Sequence, residues 1–264
     1  MTGRQLARVS AVAEGETVWS NLYPGNRHTV QCLQPAVLAA QSALDLSAAQ
    51  RQRTVWRLDG GAGSDAQLRF LFQLGYHVVA KGLSNRRAVA LAKQAKRWDA
   101  YKNDSWLAEV APPMDYGRPV QVCVKKRHKN GTYVYSYYVT SLSFPSKRAF
   151  LHCYDARGGA EVEQFRNDKS GLNLEARRKS NFTGQLAYIL LTDIAHNLLT
   201  DFRRRVLSDS PLSSLGPKRI VRDLLALPGS LTFHDGELVH VGLASQLQFS
   251  QHLVNCLNQA YCNP

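Results

Sequence analysis

The chain has little cysteine, and none of it is arranged in a recognisable pattern. Its five cysteines are scattered and include no C-x-x-C pair, at positions Cys32, Cys123, Cys153, Cys256 and Cys262. An odd number of scattered cysteines is typical neither of a disulfide framework nor of a zinc site. We therefore expect the protein to work in a reducing compartment.

Long hydrophobic runs are also missing. The first six residues, MTGRQL, carry a positive charge with no apolar stretch behind it, so we expect no secretory signal. The most apolar helix candidate, near 186–199, is interrupted by Asp193, His196 and Asn197. It is too polar to span a bilayer. These absences predict a cytoplasmic protein.

Acidic residues are scarce relative to basic ones. The chain has 33 Lys and Arg against 20 Asp and Glu, which gives a net charge of +13. This balance favours a polyanionic partner, with nucleic acid first and an anionic membrane second. The alternative is a positive face that is merely solvated. The apolar content of 44% is ordinary for a globular protein, and 264 residues suffice for one large domain or two smaller ones.

Short strands and helices alternate in the first part of the chain. A hairpin is predicted over 5–22 and a helix over about 30–50. The run Thr54–Leu58 predicts a strand, 65–74 a helix, 76–82 a second strand and 84–97 a further helix. This alternation indicates an α/β sheet core.

The character of the sequence changes near residue 103. Residues 105–143 are rich in strand-forming side chains and include a hairpin that turns at Asn130-Gly131. From 157 onward helical patterns dominate, and 183–207 is the clearest amphipathic helix. A last hairpin over 231–239 and a helix over 245–260 complete the prediction.

Two segments carry candidate chemistry. In the first, Arg57–Ser64, Asp59 ends an apolar run and begins a glycine-rich turn. In the second, Tyr154–Glu161, an aromatic hydroxyl, an arginine and a carboxylate precede Lys169. Two carboxylates from separate elements of a basic protein suggest divalent metals acting on a nucleic-acid phosphate. Taken singly, Asp59 is also typical of a turn and Glu161 of a first helical turn.

These two segments resemble the second and third catalytic blocks of insertion-sequence DDE transposases. The similarity extends to 192–199 and 218–221, and it covers most of the chain. It implies an α/β fold with a ribonuclease-H-like mixed-sheet core, a β-rich insertion and a helical C-terminal part. The implied divisions are 1–102 for the first part of the core, 103–150 for the insertion, 151–210 for the second part with the Glu helix, and 211–264 for the C-terminal hairpin and helix.

The resemblance also implies roles for individual residues. Asp59 and Glu161 would be catalytic residues that bind two Mg²⁺ or Mn²⁺ ions, and Tyr154, Arg157 and Lys169 would contact DNA phosphates. The implied reaction is DNA strand cleavage and transfer during transposition. The implied partners are the transposon ends, target DNA and a second copy of the chain, with no membrane. The implied location is the bacterial cytoplasm at the nucleoid.

Two departures from the family pattern affect these expectations. The family uses three acids, with the first on the first core strand, but no aspartate precedes Asp45, which lies in a helix-like stretch. We therefore expect the N-terminal region, the first strand and its aspartate to be missing. The rival hypothesis is a catalytically inactive DNA-binding or dimerising remnant.

The second departure is the spacing of the lysine. Lys169 follows Glu161 by eight residues rather than the usual seven, which rotates it by roughly 80° on a helix. Either a π-bulge restores its direction, or Arg166 replaces it as the DNA-contacting cation. Glu163 is a rival acid, although its spacing to Tyr154 fits less well.

Further basic side chains are weaker candidates for DNA contacts. They are Lys125, Lys126, Arg127, Arg177 and Arg178. The first three flank tyrosines in a predicted hairpin, which suits either a β-ribbon on DNA or a solvated hairpin tip. Trp106 suits base stacking or core packing, and the latter is favoured. For His196 and Asn197 we expect a structural hydrogen-bonding role.

Overall fold

The computed structural model describes residues 3–156, 166–174, 181–244 and 249–262. The chain divides into two compact units. The first comprises Met1–Val9 and Asn21–Gly159, and the second comprises Ser10–Ser20 and Ala160–Pro264. Within the described ranges no helix is both long enough and apolar enough to cross a membrane.

A six-stranded mixed sheet forms the centre of the first unit. The chain begins with a separate two-stranded hairpin, Arg4–Ala11 (β1) and Glu16–Pro24 (β2). The sheet strands are Val55–Leu58 (β3), His77–Lys81 (β4), Asp99–Tyr101 (β5), Ser105–Val110 (β6), Gln121–Lys129 (β7) and Thr132–Thr140 (β8). Their order is β3-β4-β8-β7-β6-β5, with β3 parallel to β4 and the other pairs antiparallel. The predicted α/β class is confirmed.

The strand-rich segment 103–150 contributes three strands to this same sheet. Strands β6, β7 and β8 form an antiparallel meander, and β8 pairs directly with β4 through Val79 and Thr140. The predicted hairpin turn at Asn130-Gly131 is confirmed, and both residues have the positive φ angles, 49° and 75°, that such a turn requires. The β-rich segment therefore continues the sheet begun by β3 and β4.

Five helices lie within the described residues of the first unit. They are Val30–Ala43 (α1), Ala48–Arg51 (α2), Asp65–Gln73 (α3), Asn85–Ala92 (α4) and Lys147–Asp155 (α5). The helix predicted over 30–50 is divided because Asp45 adopts a φ of 46°, after which Ser47 and Gln50 form a capping box. The helix predicted over 84–97 ends at Ala92.

The two faces of the sheet are covered by different helices. Leu68 and Leu71 of α3 share one apolar cluster with Val78 of β4. Phe150 and Leu151 of α5 share another cluster with residues of the opposite face, including Val79, Cys123 and Tyr138. Because side chains alternate along a strand, consecutive residues of β4 serve the two cores.

The cysteines that the structure describes are free. They are Cys32, Cys123, Cys153 and Cys256. Burial raises the pKa of the Cys123 thiol to about 12, so this side chain behaves as a small apolar core residue.

The second unit is built around one long helix. Its helices are Phe182–Val206 (α6), Pro217–Arg219 (α7) and Ser250–Cys262 (α8), with a 3₁₀ turn over Pro211–Ser214 and a π-helical turn over Ile220–Leu224. Gly229–His234 (β9) and Glu237–Leu243 (β10) form the predicted antiparallel hairpin. Leu207, Leu212, Ile220 and Leu224 are the most deeply buried residues of its apolar cluster. The helix predicted over 183–207 is confirmed.

Candidate functional site

Asp59 lies at the carboxyl end of β3, where the chain leaves the sheet. The preceding residue, Leu58, is buried and pairs with Ala80 of the parallel strand β4. Asp59 itself is exposed, and the backbone N–H of Gly61 donates a 2.9 Å hydrogen bond to its Oδ1 atom. Among the described residues this is the single hydrogen bond to the Asp59 carboxylate. Its Oδ2 atom is therefore available to a ligand.

Gly63 is required because the turn after Asp59 packs closely on the end of β4. A Cβ atom on Gly63 would lie 1.9 Å from the carbonyl oxygen of Lys81, which no side chain can tolerate. The N–H of Leu83 donates to the Gly63 carbonyl at 3.1 Å. A Cβ atom on Gly60 would lie 3.5 Å from Cδ of Lys81, so the Lys81 side chain runs along the turn.

Lys81 shares one face of the sheet with other cations. It pairs with Tyr138 of β8, which pairs with Cys123 of β7. Paired residues project to the same side and side chains alternate along a strand, so Lys125 and Arg127 project to this side as well. We call Lys81, Lys125 and Arg127 the cationic face.

Lys125 is the most enclosed member of the cationic face. Burial lowers the pKa of Lys125, Asp155 opposes this shift, and the positive charges of Lys102, Arg127 and Lys81 add to it. Its Nζ atom lies 5.2 Å from the centre of the Tyr101 ring. An added anion such as a phosphate would favour the charged form of this ammonium group.

The acid that acts on Lys125 is already engaged by other groups. Asp155, at the end of α5, accepts a 3.0 Å hydrogen bond from the Tyr101 hydroxyl and forms a 2.8 Å ion pair with Lys102. Burial raises the pKa of Tyr101, and the Asp155 carboxylate adds to the shift. The Lys102 charge is therefore balanced locally, while Lys81 has no ion pair within the described ranges.

Tyr154 lies on the same side of the sheet but is buried. Its ring centre is 4.7 Å from that of Tyr138, with an angle of 66° between the planes. Only 7% of Tyr154 is exposed. The predicted contact of Tyr154 with DNA stays a prediction, and such a contact would have to use the edge of the side chain.

The other predicted site residues divide into two groups. Arg166 and Lys169 are exposed on a helical stretch over 166–171 of the second unit. Four predicted residues, together with the rival acid Glu163, lie outside the described residues: Arg157, Glu161, Arg177 and Arg178.

Lys126 projects to the opposite face from Lys125 and Arg127. Its Nζ atom lies 4.5 Å, 5.3 Å and 5.4 Å from the ring centres of Trp98, Trp106 and Tyr133. The ammonium is thus held by cation–π contacts, and Trp106 is partly buried beneath it. The three basic residues predicted together on this ribbon do not form one surface.

Asp59 differs from two other acids of the first unit. Asp65 is held by Arg87 and Tyr116, and Asp99 by Lys147 and Arg97. In the part of the chain that the structure describes, no group of three or more metal-ligating side chains occurs. Asp59 supplies one exposed oxygen ligand of the kind that Mg²⁺ prefers, and a complete site needs further ligands.

A family model described as transposase DDE domain, group 1, matches residues 13–260, which include Asp59 and both candidate segments. The chain belongs to the DDE transposase family. The resemblance seen in Arg57–Ser64 and Tyr154–Glu161 is thereby confirmed. No curated protein sequence matches this DDE-family chain.

Lys81 is the site residue that sequence analysis missed. The order of the elements could have indicated it. The strand His77–Lys81 follows β3 and α3, and a strand–helix–strand order is typical of two parallel neighbouring strands. The carboxyl ends of parallel neighbouring strands meet at one edge of a sheet. Lys81, which ends β4, therefore adjoins Asp59, which follows β3.

Proposed function

We propose that this DDE-family chain binds DNA and takes part in metal-dependent DNA strand cleavage and transfer during transposition. One observation carries the proposal: an exposed carboxylate, Asp59, ends a strand next to Lys81, and Lys81 continues into the cationic face with Lys125 and Arg127. A single carboxylate beside a row of cations suits a metal-bound phosphate backbone. The net charge of +13 supports a polyanionic substrate.

Within this proposal Asp59 and Glu161 are the metal ligands, and the ions are Mg²⁺ or Mn²⁺. When bound, such ions neutralise charge on the reacting phosphate and activate a hydroxyl nucleophile. The N–H of Gly61 orients the Asp59 carboxylate, because it holds Oδ1 and leaves Oδ2 to bind the ion. The protein thereby fixes the Oδ2 atom of Asp59 beside the DNA backbone.

The DNA contacts that we propose are of two kinds. Lys81, Lys125 and Arg127 bind backbone phosphates along the sheet, since ammonium and guanidinium groups form strong hydrogen bonds to phosphate. The remaining proposed contacts at the transposon end are Tyr154, Arg157, Arg166, Lys169, Arg177 and Arg178. On this view Lys126 stabilises the ribbon through its three aromatic neighbours.

The partners follow from the same proposal. They are the transposon ends, target DNA and a second copy of the chain bound to the same DNA. The compartment is the bacterial cytoplasm at the nucleoid, which is consistent with the free thiols among the described residues.

A second candidate function is DNA binding or dimerisation without cleavage. The observation that favours it is the engagement of Asp65 and Asp155 by neighbouring cations, which keeps both from joining Asp59 as metal ligands. Such a chain would keep the cationic face but would not cleave DNA.

Comparison of the parent chain with Asp59→Ala separates the two functions. A fluorescent transposon-end duplex is incubated with each protein and Mg²⁺ or Mn²⁺, and both cleavage and affinity are measured. Cleavage by the parent alone, with equal affinity, supports the enzyme; equal binding with no cleavage supports the second candidate. Asp209→Ala, at an exposed acid of the second unit, is the matched control. Absence of salt-dependent DNA binding would overturn both.

A further inference from the structure

A second acid close to the Asp59 turn has a different set of contacts. Asp65 is the first residue of α3 and follows the glycine-rich turn directly. Its Oδ2 atom forms an ion pair with the Arg87 guanidinium, and its Oδ1 atom accepts a 3.0 Å hydrogen bond from the Tyr116 hydroxyl. Both carboxylate oxygens are therefore occupied, which excludes Asp65 as a ready metal ligand.

The groups around Asp65 come from separate parts of the first unit. Arg87 lies on α4, Tyr116 on the connection between β6 and β7, and Tyr137 on β8. Asp65, and after it Tyr137, raise the pKa of Arg87. Tyr116 and Tyr137 are 3% and 1% exposed, so Asp65 is held beside buried side chains. Burial and the Asp65 charge both raise the pKa of Tyr116.

Tyr137 also contacts Gly82, the residue that follows the end of β4. The N–H of Gly82 donates a 2.8 Å hydrogen bond to the Tyr137 carbonyl, and a Cβ atom on Gly82 would collide with the Tyr137 ring. Gly82 follows Lys81, whose carbonyl lies against Gly63 of the turn. The turn is thus fixed on one side by Lys81 and at its end by Asp65.

A turn with three glycines needs such an anchor. Glycine loses more conformational freedom on ordering than any other residue, so a free turn would let the Asp59 carboxylate sample many directions. A metal ligand must be held close to its productive geometry. The Gly61 N–H meets Asp59 Oδ1 only while the turn keeps its shape.

We propose that Asp65 is a positioning residue for Asp59: through Arg87 and Tyr116 it fixes the turn that presents the Asp59 carboxylate to a divalent ion. This inference rests on the proposed function, in which Asp59 binds the ion. Asp65 touches neither the ion nor DNA. Its effect is transmitted by the first turn of α3 and by Gly61.

The test measures Mn²⁺ binding by the full chain, at a temperature well below unfolding, from the electron paramagnetic resonance spectrum of the bound ion. Asp65→Asn removes the charge that holds Arg87, and we expect its Mn²⁺ dissociation constant to rise about 10- to 100-fold. Asp59→Ala is expected to abolish the same signal. Asp99→Asn is the matched control, because Asp99 also pairs with cations but does not contact the turn.

The outcomes separate the inference from the proposed function. If Asp65→Asn lowers the unfolding midpoint but binds Mn²⁺ as the parent does, Asp65 is merely structural and the inference is overturned. If the parent shows no binding that depends on Asp59, the proposed function fails and the inference fails with it. Should Asp65→Asn not fold, Tyr116→Phe removes one hydrogen bond alone, and a weaker Mn²⁺ affinity in that variant is the expected result. An unchanged Mn²⁺ affinity in Tyr116→Phe would contradict the inference.

Discussion

His196 and Asp168 form a buried ion pair in the second unit. Nδ1 of His196 lies 2.7 Å from Oδ1 of Asp168, and Nε2 lies 2.8 Å from the carbonyl oxygen of Gly15. Both neighbours offer acceptor oxygens, so a ring with a proton on each nitrogen satisfies both contacts. The pair joins α6 to the helical stretch that carries Arg166 and Lys169. The structural role expected for His196 is thus confirmed.

Replacement of His196 is expected to destabilise the chain. In His196→Ala the Asp168 carboxylate, which is fully buried, loses its cation, and loss of one member of a buried pair typically costs about 3–5 kcal/mol. Urea unfolding of the parent and variant measures the difference. A double-mutant cycle with Asp168→Asn is expected to show strong coupling, and additive effects would mean that the two side chains act independently.

The Asn197 side chain binds the backbone of the N-terminal hairpin at Thr17. Its Oδ1 accepts from the Thr17 N–H at 2.8 Å, and its Nδ2 donates to the Thr17 carbonyl at 2.8 Å. Asn197→Ala removes both bonds and is expected to cost about 1–3 kcal/mol in the free energy of unfolding. Asn255→Ala, at an exposed position of α8, is the control and is expected to change little. Equal stabilities of the two variants would contradict this account.

The cationic face predicts a specific change in the salt dependence of DNA binding. Each phosphate contact contributes about 0.9 to the slope of log affinity against log salt concentration. Lys81→Ala and Lys125→Ala are each expected to reduce the slope by about this amount, as measured by fluorescence anisotropy with duplex DNA. Lys93→Ala, at an exposed lysine following α4, is the control. Unchanged slopes in both Lys81→Ala and Lys125→Ala would show that DNA does not bind at the cationic face.

The pKa of Lys125 predicts how binding depends on pH. Because burial lowers this pKa below the ordinary lysine value of 10.5, Lys125 loses its charge at a lower pH than an exposed lysine does. Its contribution to phosphate binding is present below that pKa and is lost as the pH rises through it. We expect DNA affinity to decline in this window for the parent and to stay level for Lys125→Arg. Parallel pH profiles would show that Lys125 does not contact DNA.

Local elements were predictable because their signals lie within a few residues. The strand that ends at Leu58, the turn at Asn130-Gly131 and the helix over 183–207 all follow from side-chain periodicity and turn chemistry. The family was predictable for the same reason, since its motifs are short.

Relationships between distant segments were not predictable in this way. Nothing in the pattern of Thr132–Thr140 specifies that this strand pairs with β4, and that pairing puts Lys125 on the face that begins with Lys81. The contact of Asp65 with Arg87 joins two helices whose patterns show only which side is apolar. Lys125 and Lys126 look alike in sequence, yet the alternation of side chains along β7 sends them to opposite faces.

Iron-directed cleavage of the protein tests the central claim, that Asp59 holds a divalent ion beside Lys81. Fe²⁺ replaces Mg²⁺, ascorbate and peroxide generate hydroxyl radicals at the bound ion, and mass spectrometry locates the cuts. The account predicts cuts in the turn that follows Asp59 and near Lys81, suppressed by excess Mg²⁺ and absent from Asp59→Ala. Cuts confined to other segments, or an unchanged pattern in Asp59→Ala, would contradict it.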